Sequence, residues 1–372
     1  MMRKTLTFTL ALALSGAHAA PPAEYRRALP GYEFSFPRDH GAHRDFRTEW
    51  WYFTGNVDDE EGRPLAYELT IFRNRLQPLD PDKASPLIAD EVFLGHFAVS
   101  DIAGKEHASW ERLGRPGFGQ AEAADDRMFV RMEDWLIEQN GDAITLRAQG
   151  GDAALDLTLT PAKPFVIHGK DGAHQKTDVA GQASHYISFT RLDTTGTVRW
   201  KGRDRAVSGL SWMDHEFSSD ALGEDEAGWD WFALQLDSGD DLMVYRMRRK
   251  DGTYNTSCTG ALVRKDGTHR ALLAEEFEIT TTDTWTSKAS GAEYPMGWRI
   301  RIPGEDAELV VEPAFNEQEM LTTRTTGTIY WEGAVNITGT FGGETSRGRG
   351  FVELVGYAKP FTQLSENQGR VD

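Results

Sequence analysis

Trp50-Trp-Tyr-Phe-Thr-Gly-Asn-Val-Asp58 and Trp229-Asp-Trp-Phe-Ala-Leu-Gln-Leu-Asp237 are two versions of one segment. Each is an aromatic-rich strand pattern. A glycine turn follows it (Gly62, Gly239), then a second strand pattern, Leu65 to Arg73 or Leu242 to Arg248. The correspondence continues outward. Phe97 to Gly104 answers Gly260 to Gly267, and the hairpin Ile144 to Pro161 answers Trp298 to Pro313. Tyr186 through Gly209-Leu-Ser-Trp212 answers Tyr330 through Gly350-Phe-Val-Glu353. Self-similarity at this spacing means two copies of one antiparallel unit. The copies are expected at about 31–204 and 205–364.

Between these landmarks the chain shows short alternating runs such as Ala143 to Ala148, Ala154 to Thr160, Trp298 to Ile302 and Ala307 to Glu312. Helical periodicity is weak, so the fold class is all-β. Seven to ten strands per copy in meander order suit an up-and-down barrel, which removes sheet edges and leaves a cavity. Two sandwiches are the alternative. Asp80 to Ala89, Gly114 to Ala124 and Gly169 to Gln182 read as long loops, and Ser365 to Asp372 as a polar tail.

Met1-Met-Arg-Lys4 is positive, Thr5 to Ser15 is apolar, and Ala17-His-Ala19 is a small-x-small cleavage site. The pattern predicts a signal peptide over 1–19 and a periplasmic or secreted protein. No later run reaches the ~18 apolar residues that a membrane-spanning helix needs. Cys258 is the single cysteine and is expected to be buried in a strand, so no internal disulfide can form. A net charge of −18 argues against nucleic acid and anionic membrane as partners. Eleven Trp and 19 Phe point to a ring-rich core or an aromatic-lined cavity.

Three constellations carry candidate chemistry. In Gly209-Leu-Ser-Trp-Met-Asp-His-Glu-Phe-Ser-Ser219, strand geometry puts Trp212, Asp214 and Glu216 on one face and Met213, His215 and Phe217 on the other. An acid among rings resists ionisation and stays able to give up a proton. The second copy has Val352, Glu353 and Leu354 around the corresponding position, without this block, so the block is expected to serve something specific. The second constellation runs from Asp39 to Asn56. Glu49, Trp51 and Phe53 share one strand face, and Trp50, Tyr52 and Thr54 the other. The crowd of Asp39, His40, His43, Asp45 and Glu49 reads as a cap on the first barrel; its spacing matches no catalytic zinc signature, and no metal is expected. The third is Gly228-Trp-Asp-Trp-Phe232, read as the plug of the second barrel's floor. No nucleophile elbow, phosphate loop or dinucleotide fingerprint is present.

Asp39-His-Gly41, Glu49-Trp-Trp-Tyr-Phe-Thr-Gly-Asn56 and Trp212-Met-Asp-His-Glu216 resemble the carotenoid 1,2-hydratase (hydroxyneurosporene synthase) superfamily. The likeness is to its secreted tandem lipocalin-like members, often described as predicted secreted hydrolases, and covers about residues 31 to 362. It implies two lipocalin-like barrels and acid-assisted water addition or hydrolysis on a large hydrophobic, isoprenoid-like or lipid-like substrate, without a cofactor. It maps the hydratase acid onto Asp214. Protonating an alkene needs a desolvated acid, and the cation formed is stabilised by ring faces. Trp50, Trp51, Tyr52, Trp212, Trp229 and Trp231 are the candidate substrate-binding rings. His215, His40 and Glu49 are the candidates to deliver water. The alternative readings are a lipid or isoprenoid carrier, serving a membrane transporter, and a carbohydrate or peptide binder with Trp platforms.

Overall fold

The computed structural model describes residues 24–78, 90–220, 222–223, 225–257 and 259–361. The expected signal peptide, Cys258, the polar tail and the whole Asp80 to Ala89 loop lie outside them. The described residues are almost wholly strand and turn, and none of their helices is long and apolar enough to cross a membrane.

The first sheet contains β1 (Thr48–Asp59), β2 (Pro64–Arg75), β3 (Glu91–Asp101), β4 (Glu106–Gly114), β5 (Ala121–Ala123), β6 (Phe129–Met132), β7 (Trp135–Asn140), β8 (Ala143–Gly150), β9 (Ala153–Pro161), β10 (Val166–Ile167), β11 (His174–Gln175), β12 (Ala183–Trp200) and β13 (Arg203–Ser218). The remaining strands are β14 (Glu226–Leu236), β15 (Asp241–Arg249), β16 (Thr259–Val263), β17 (His269–Leu273), β18 (Glu278–Thr281), β19 (Thr284–Thr286), β20 (Glu293–Pro295), β21 (Trp298–Ile302), β22 (Ala307–Pro313), β23 (Glu319–Thr322), β24 (Thr328–Phe341) and β25 (Glu344–Val355).

The first sheet runs β4-β3-β2-β1-β13-β12-β9-β8-β7-β6-β5, and the second β17-β16-β15-β14-β25-β24-β22-β21-β18. These are the same path twice, with β1 in the place of β14 and β13 in that of β25, so the repeat read from the sequence is a repeat of topology. The first sheet is a nearly closed antiparallel barrel, in which the first long strand pairs with the last. Because β13 pairs with both β1 and β12, the change of sheet falls between Ser218 and Glu226. The expected 204/205 boundary would divide the β12–β13 hairpin and is corrected. The Gly114 to Ala124 and Gly169 to Gln182 segments, expected as loops, also carry the short strands β5 and β11.

Alternation along the central strands decides what is enclosed. Trp51, Phe53 and Val57 of β1 point into the first core with Phe97 of β3 and Trp135 of β7. Gly95 of β3 lets Trp135 approach: a Cβ there would lie 2.8 Å from its ring. Phe232, Leu234 and Leu236 of β14 do the same for the second core. Each such side chain contributes about 1.5–3 kcal/mol on burial.

The opposite faces of the same strands meet each other. Tyr52, Trp212, Trp231, Ala233, Met243 and Phe351 form a third apolar cluster between the two sheets. Polar ties lock the junction. Asp241 of β15, fully buried, accepts from Lys163 Nζ at 2.7 Å, Arg191 Nη2 at 2.7 Å and Thr190 Oγ1 at 2.9 Å. Gln235 Nε2 donates to the carbonyls of Thr190 and Ser211.

Candidate functional site

A cavity of about 200 Å³ lies at this junction, between the two barrels rather than inside either. β1 supplies Trp50 and Tyr52, β13 Asp214 and Glu216, β14 Trp229 and Trp231, and β24 and β25 Glu332 and Glu353. The lining is mostly apolar, with carboxyl groups set among the rings.

Asp214 is 4 % exposed. Tyr186 Oη donates to its Oδ2 at 2.7 Å; Ser188 Oγ and Trp212 Nε1 donate to its Oδ1 at 2.5 and 2.7 Å. Burial pushes the Asp214 carboxyl up to about 7, and neighbouring Glu216 adds to the rise, while the three donors pull the other way. Ser188 Oγ also lies 2.7 Å from His168 Nε2, so the hydroxyl links a buried imidazole to the acid. Burial holds His168 neutral by lowering it to about 3.

The register of the sheets reveals a second such acid. Tyr52 lies opposite Asp214 between β1 and β13; its counterpart Trp231 lies opposite Glu353 between β14 and β25. Glu353 is therefore the equivalent of Asp214, which corrects the expectation that the second copy lacks the feature. A register shift between Phe189 and Leu192 makes the first hairpin irregular, while β24–β25 pairs without one. From Ser188 to Asp214 the first hairpin is also five residues longer than the second from Glu332 to Glu353, so matching Gly209 to Gly350 sets Trp212 rather than Asp214 against Glu353. Burial pushes Glu353 up to about 7 as well, and Trp229 Nε1 donates to its Oε2 at 2.7 Å. Glu332 accepts from Tyr52 Oη at 2.8 Å, and burial with the nearby Glu353 holds it well above the carboxylate range. Its other oxygen has no partner. Lys176 pairs with Glu216 at 2.7 Å and lies over the rings of Tyr186 and Tyr245.

The expected binding rings Trp50, Tyr52, Trp229 and Trp231 line this cavity. Trp212 stands beside it, edge-on to Trp231 with centroids 6.1 Å apart. Glu49, His40, His215 and Trp51, expected with them, line no part of it. Odd and even positions of a strand face opposite ways, and Glu49, Trp51 and His215 belong to the barrel side, while His40 ends the short turn Arg38–His40 next to Trp51. Glu49 is fully buried. It accepts from Arg73 Nε at 2.9 Å and from the His43 amide at 2.9 Å, and it contacts His43 Nδ1 at 2.7 Å and His215 Nε2 at 2.9 Å. Burial opposes its ionisation, but the Arg73 guanidinium and the two imidazoles outweigh this and hold Glu49 well below its usual range. Trp51 stacks on His215 at 4.9 Å and donates from Nε1 to the His40 carbonyl at 3.0 Å. Burial lowers His40 to about 3.

His43, Glu49 and His215 each bring one ligand-type atom within 4.8 Å of the others. Both Glu49 oxygens, however, already serve the hydrogen bonds and ion pair just described. The cluster is a buried, ion-paired network on the barrel side of β1 and β13. Asp230 is likewise a fully buried structural anion, held by Arg246 at 2.8 Å, Arg248 at 3.2 Å and the Tyr357 hydroxyl at 2.7 Å.

Sequence reading missed Tyr186, Ser188, His168, Lys176, Glu332 and Glu353. Of these, Glu353 and Glu332 were within reach, since Glu332 follows Tyr330 as Ser188 follows Tyr186, and a five-residue gap in the hairpin then brings Glu353 onto Asp214.

Buried acids with raised pKa make stability depend on pH. Folded Asp214 keeps a proton up to about pH 7 that the unfolded chain releases near its ordinary 3.8. Its contribution is therefore neutral below that value and increasingly unfavourable as pH rises to about 7. The Asp214→Asn variant is expected to be more stable than wild type at pH 8, by on the order of 2–4 kcal/mol, and so to unfold at a higher temperature. That advantage should vanish toward pH 4. Thermal denaturation of both proteins across this range checks it. The difference carries the signal, because buried neutral histidines titrate in the opposite sense. An advantage independent of pH would show that Asp214 is not a raised acid.

The AttH-like family model matches residues 27–357. The crystal structure of an AttH-like protein from Nitrosomonas europaea superposes with a TM-score of 0.80 at 33 % identity, covering 89 % of this chain and 99 % of that one. Kievitone hydratase from Nectria haematococca shares the fold, with a TM-score of 0.67 at 13 % identity over 91 % and 98 % of the two chains. CghA bound to Sch210972 shares it more distantly, with a TM-score of 0.51 at 16 % identity over 83 % and 88 %. In sequence, 146 residues are 26 % identical to kievitone hydratase of Fusarium solani subsp. phaseoli, so the match spans 39 % of this chain and 40 % of that relative. These comparisons agree with the resemblance carried by the Glu49–Asn56 and Trp212–Glu216 blocks, and the chain belongs to the AttH-like family.

Proposed function

We propose that this protein adds water across a carbon–carbon double bond of a hydrophobic small molecule, with Asp214 as the proton donor. The observation that carries the reading is a buried acid, raised to about 7, facing an aromatic-lined cavity. An acid of that strength remains partly protonated at neutral pH and transfers its proton to carbon more readily than an exposed carboxylate. The cation that results lies among the faces of Trp50, Tyr52, Trp229 and Trp231, where cation–π attraction is worth about 2 kcal/mol when desolvated. Water then bonds to the cationic carbon, and a cavity carboxylate takes its surplus proton. Glu353 is suited to that step because its carboxyl is partly open to the cavity. Return of the proton to Asp214 restores the starting state. The named activity of the kievitone hydratases, a hydration, supports the reaction class.

The test is incubation with kievitone and with an acyclic carotenoid in ¹⁸O-water. A product heavier by one labelled water supports the reading. Binding of these compounds without label incorporation would favour a carrier instead. The residues numbered 1–19 lead us to place the protein in the periplasm or outside the cell, tested by the mass of the mature chain.

The donors around Asp214 set its strength. Ser188→Ala and Tyr186→Phe each remove a hydrogen bond that favours the ionised form. Either change should raise the acid's pKa further and lower kcat about tenfold or more, the scale of one hydrogen bond to a charged group. The alkaline limb of the pH–rate profile should move upward in both variants, and an unmoved limb would remove these residues from any role in tuning Asp214.

A further inference from the structure

We propose that the cavity selects organic cations, an alkylammonium group on an apolar chain, over neutral molecules of the same shape. This rests on the reading of the cavity as the binding site and names the ligand charge it prefers. The starting observation is a mismatch of charge. Asp214, Glu216, Glu332 and Glu353 line one cavity. Among the described lining residues the basic side chains are Lys176 and His96, and Lys176 pairs with Glu216. His96, also in the lining, is held neutral by burial. Among the described residues Asp214, Glu332 and Glu353 thus form no ion pair in this apolar junction, and the Lys176 charge, paired with Glu216, reaches Glu353 only as a minor influence.

Burying an unpaired acid costs free energy, and a cavity meant only for hydrocarbon would have none. The second barrel adds to the excess where a neutral group would serve the fold: Glu332 stands at the position of Ser188 in the first. Glu332 is 2 % exposed, and its Oε2 finds no partner in the protein. The rings add attraction of the same sign. Indole and phenol faces attract cations, and Trp50, Tyr52, Trp229 and Trp231 surround the carboxyl groups. Lys176 already uses this device, its ammonium resting over Tyr186 at 4.9 Å and Tyr245 at 5.1 Å. A ligand ammonium would supply the missing countercharge. As it binds, Asp214 and Glu353 would ionise, and their protons would leave to solvent. A transient carbon cation in a hydration would be held by the same features, so a stable ammonium is its mimic.

Three probes with one apolar chain separate the terms: octyltrimethylammonium, 1-octanol and octanoate, titrated into the full-length protein by calorimetry at physiological ionic strength. The cation is expected to bind at least about tenfold more tightly than the alcohol, with octanoate weakest. Its heat should differ between buffers of unlike ionisation enthalpy in the sense of proton release. In the Asp214→Asn/Glu353→Gln double variant the advantage of the cation should fall at least about tenfold, while octanol binds as before. Octanol thereby reports that the cavity is still folded. Equal affinity of cation and alcohol would overturn the preference while leaving a hydrophobic binding site. A preference that survives in the double variant would place the cation on the acidic exterior and also overturn it. Failure of all three probes to bind would overturn both this inference and the proposed function.

Discussion

Asp214→Asn is expected to lower hydration by about 10²–10⁴-fold, the range of a lost general acid, while ligand affinity changes by less than about threefold. The two effects separate because the amide keeps the shape and the hydrogen-bonding surface of the carboxyl. Its oxygen can still accept from Trp212 and Ser188, whose donors converge on Oδ1. Its NH2 would replace Oδ2, and the Tyr186 hydroxyl there can turn from donor to acceptor. What the amide cannot do is give a proton to carbon. Label incorporation from ¹⁸O-water measures the first quantity, and native mass spectrometry with the bound compound measures the second. Turnover that survives the substitution would sink Asp214 as the acid. Loss of binding together with turnover would make it a ligand contact.

The largest stability effect is expected on the other face of the same strands. Glu49→Ala should destabilise the fold by about 3–5 kcal/mol, the cost of stranding a buried charge. Arg73 is fully buried, and its remaining carboxylate partner, Glu91, lies 3.4 Å away against 2.9 Å for Glu49. The His43 amide and the facing nitrogens of His43 and His215 would lose their acceptor at the same time. The sign with pH is opposite to that of Asp214. Folded Glu49 titrates well below its ordinary 4.5, so its contribution is complete above that value and fades only as pH falls below it. Urea denaturation should show a constant deficit from pH 8 to about 5, shrinking in stronger acid. Folded Glu49→Ala protein should still bind cavity ligands. A deficit under about 1 kcal/mol would contradict the ion-paired network, and selective loss of turnover with full stability would return Glu49 to the catalytic candidates.

These two substitutions divide residues that the sequence lists side by side. Glu49 and Trp50 are neighbours, as are Asp214 and His215, yet each pair is split across a strand. Period-two alternation was legible and correctly kept Trp212, Asp214 and Glu216 together. It could not say which face enters a barrel, because both faces of β1 and β13 carry rings and ionisable groups. A strand with one polar face would have decided the matter; a strand buried on both sides does not. His40, Glu49 and His215 therefore looked like partners of Asp214 until the second sheet took its place against the first.

By itself the sequence determined the all-β class, the duplicated unit, the family and the acid among rings, since each is written in local pattern: turn spacing, alternation, and aromatic blocks such as Glu49 to Asn56. The tertiary structure alone decided that the cavity lies between the barrels, and that Tyr52 meets Glu332 while Trp229 holds Glu353 beside Asp214. Tyr52 and Glu332 stand 280 residues apart in the chain. Their meeting depends on how two sheets pack face to face, which leaves no local signal for a reader of residues in order.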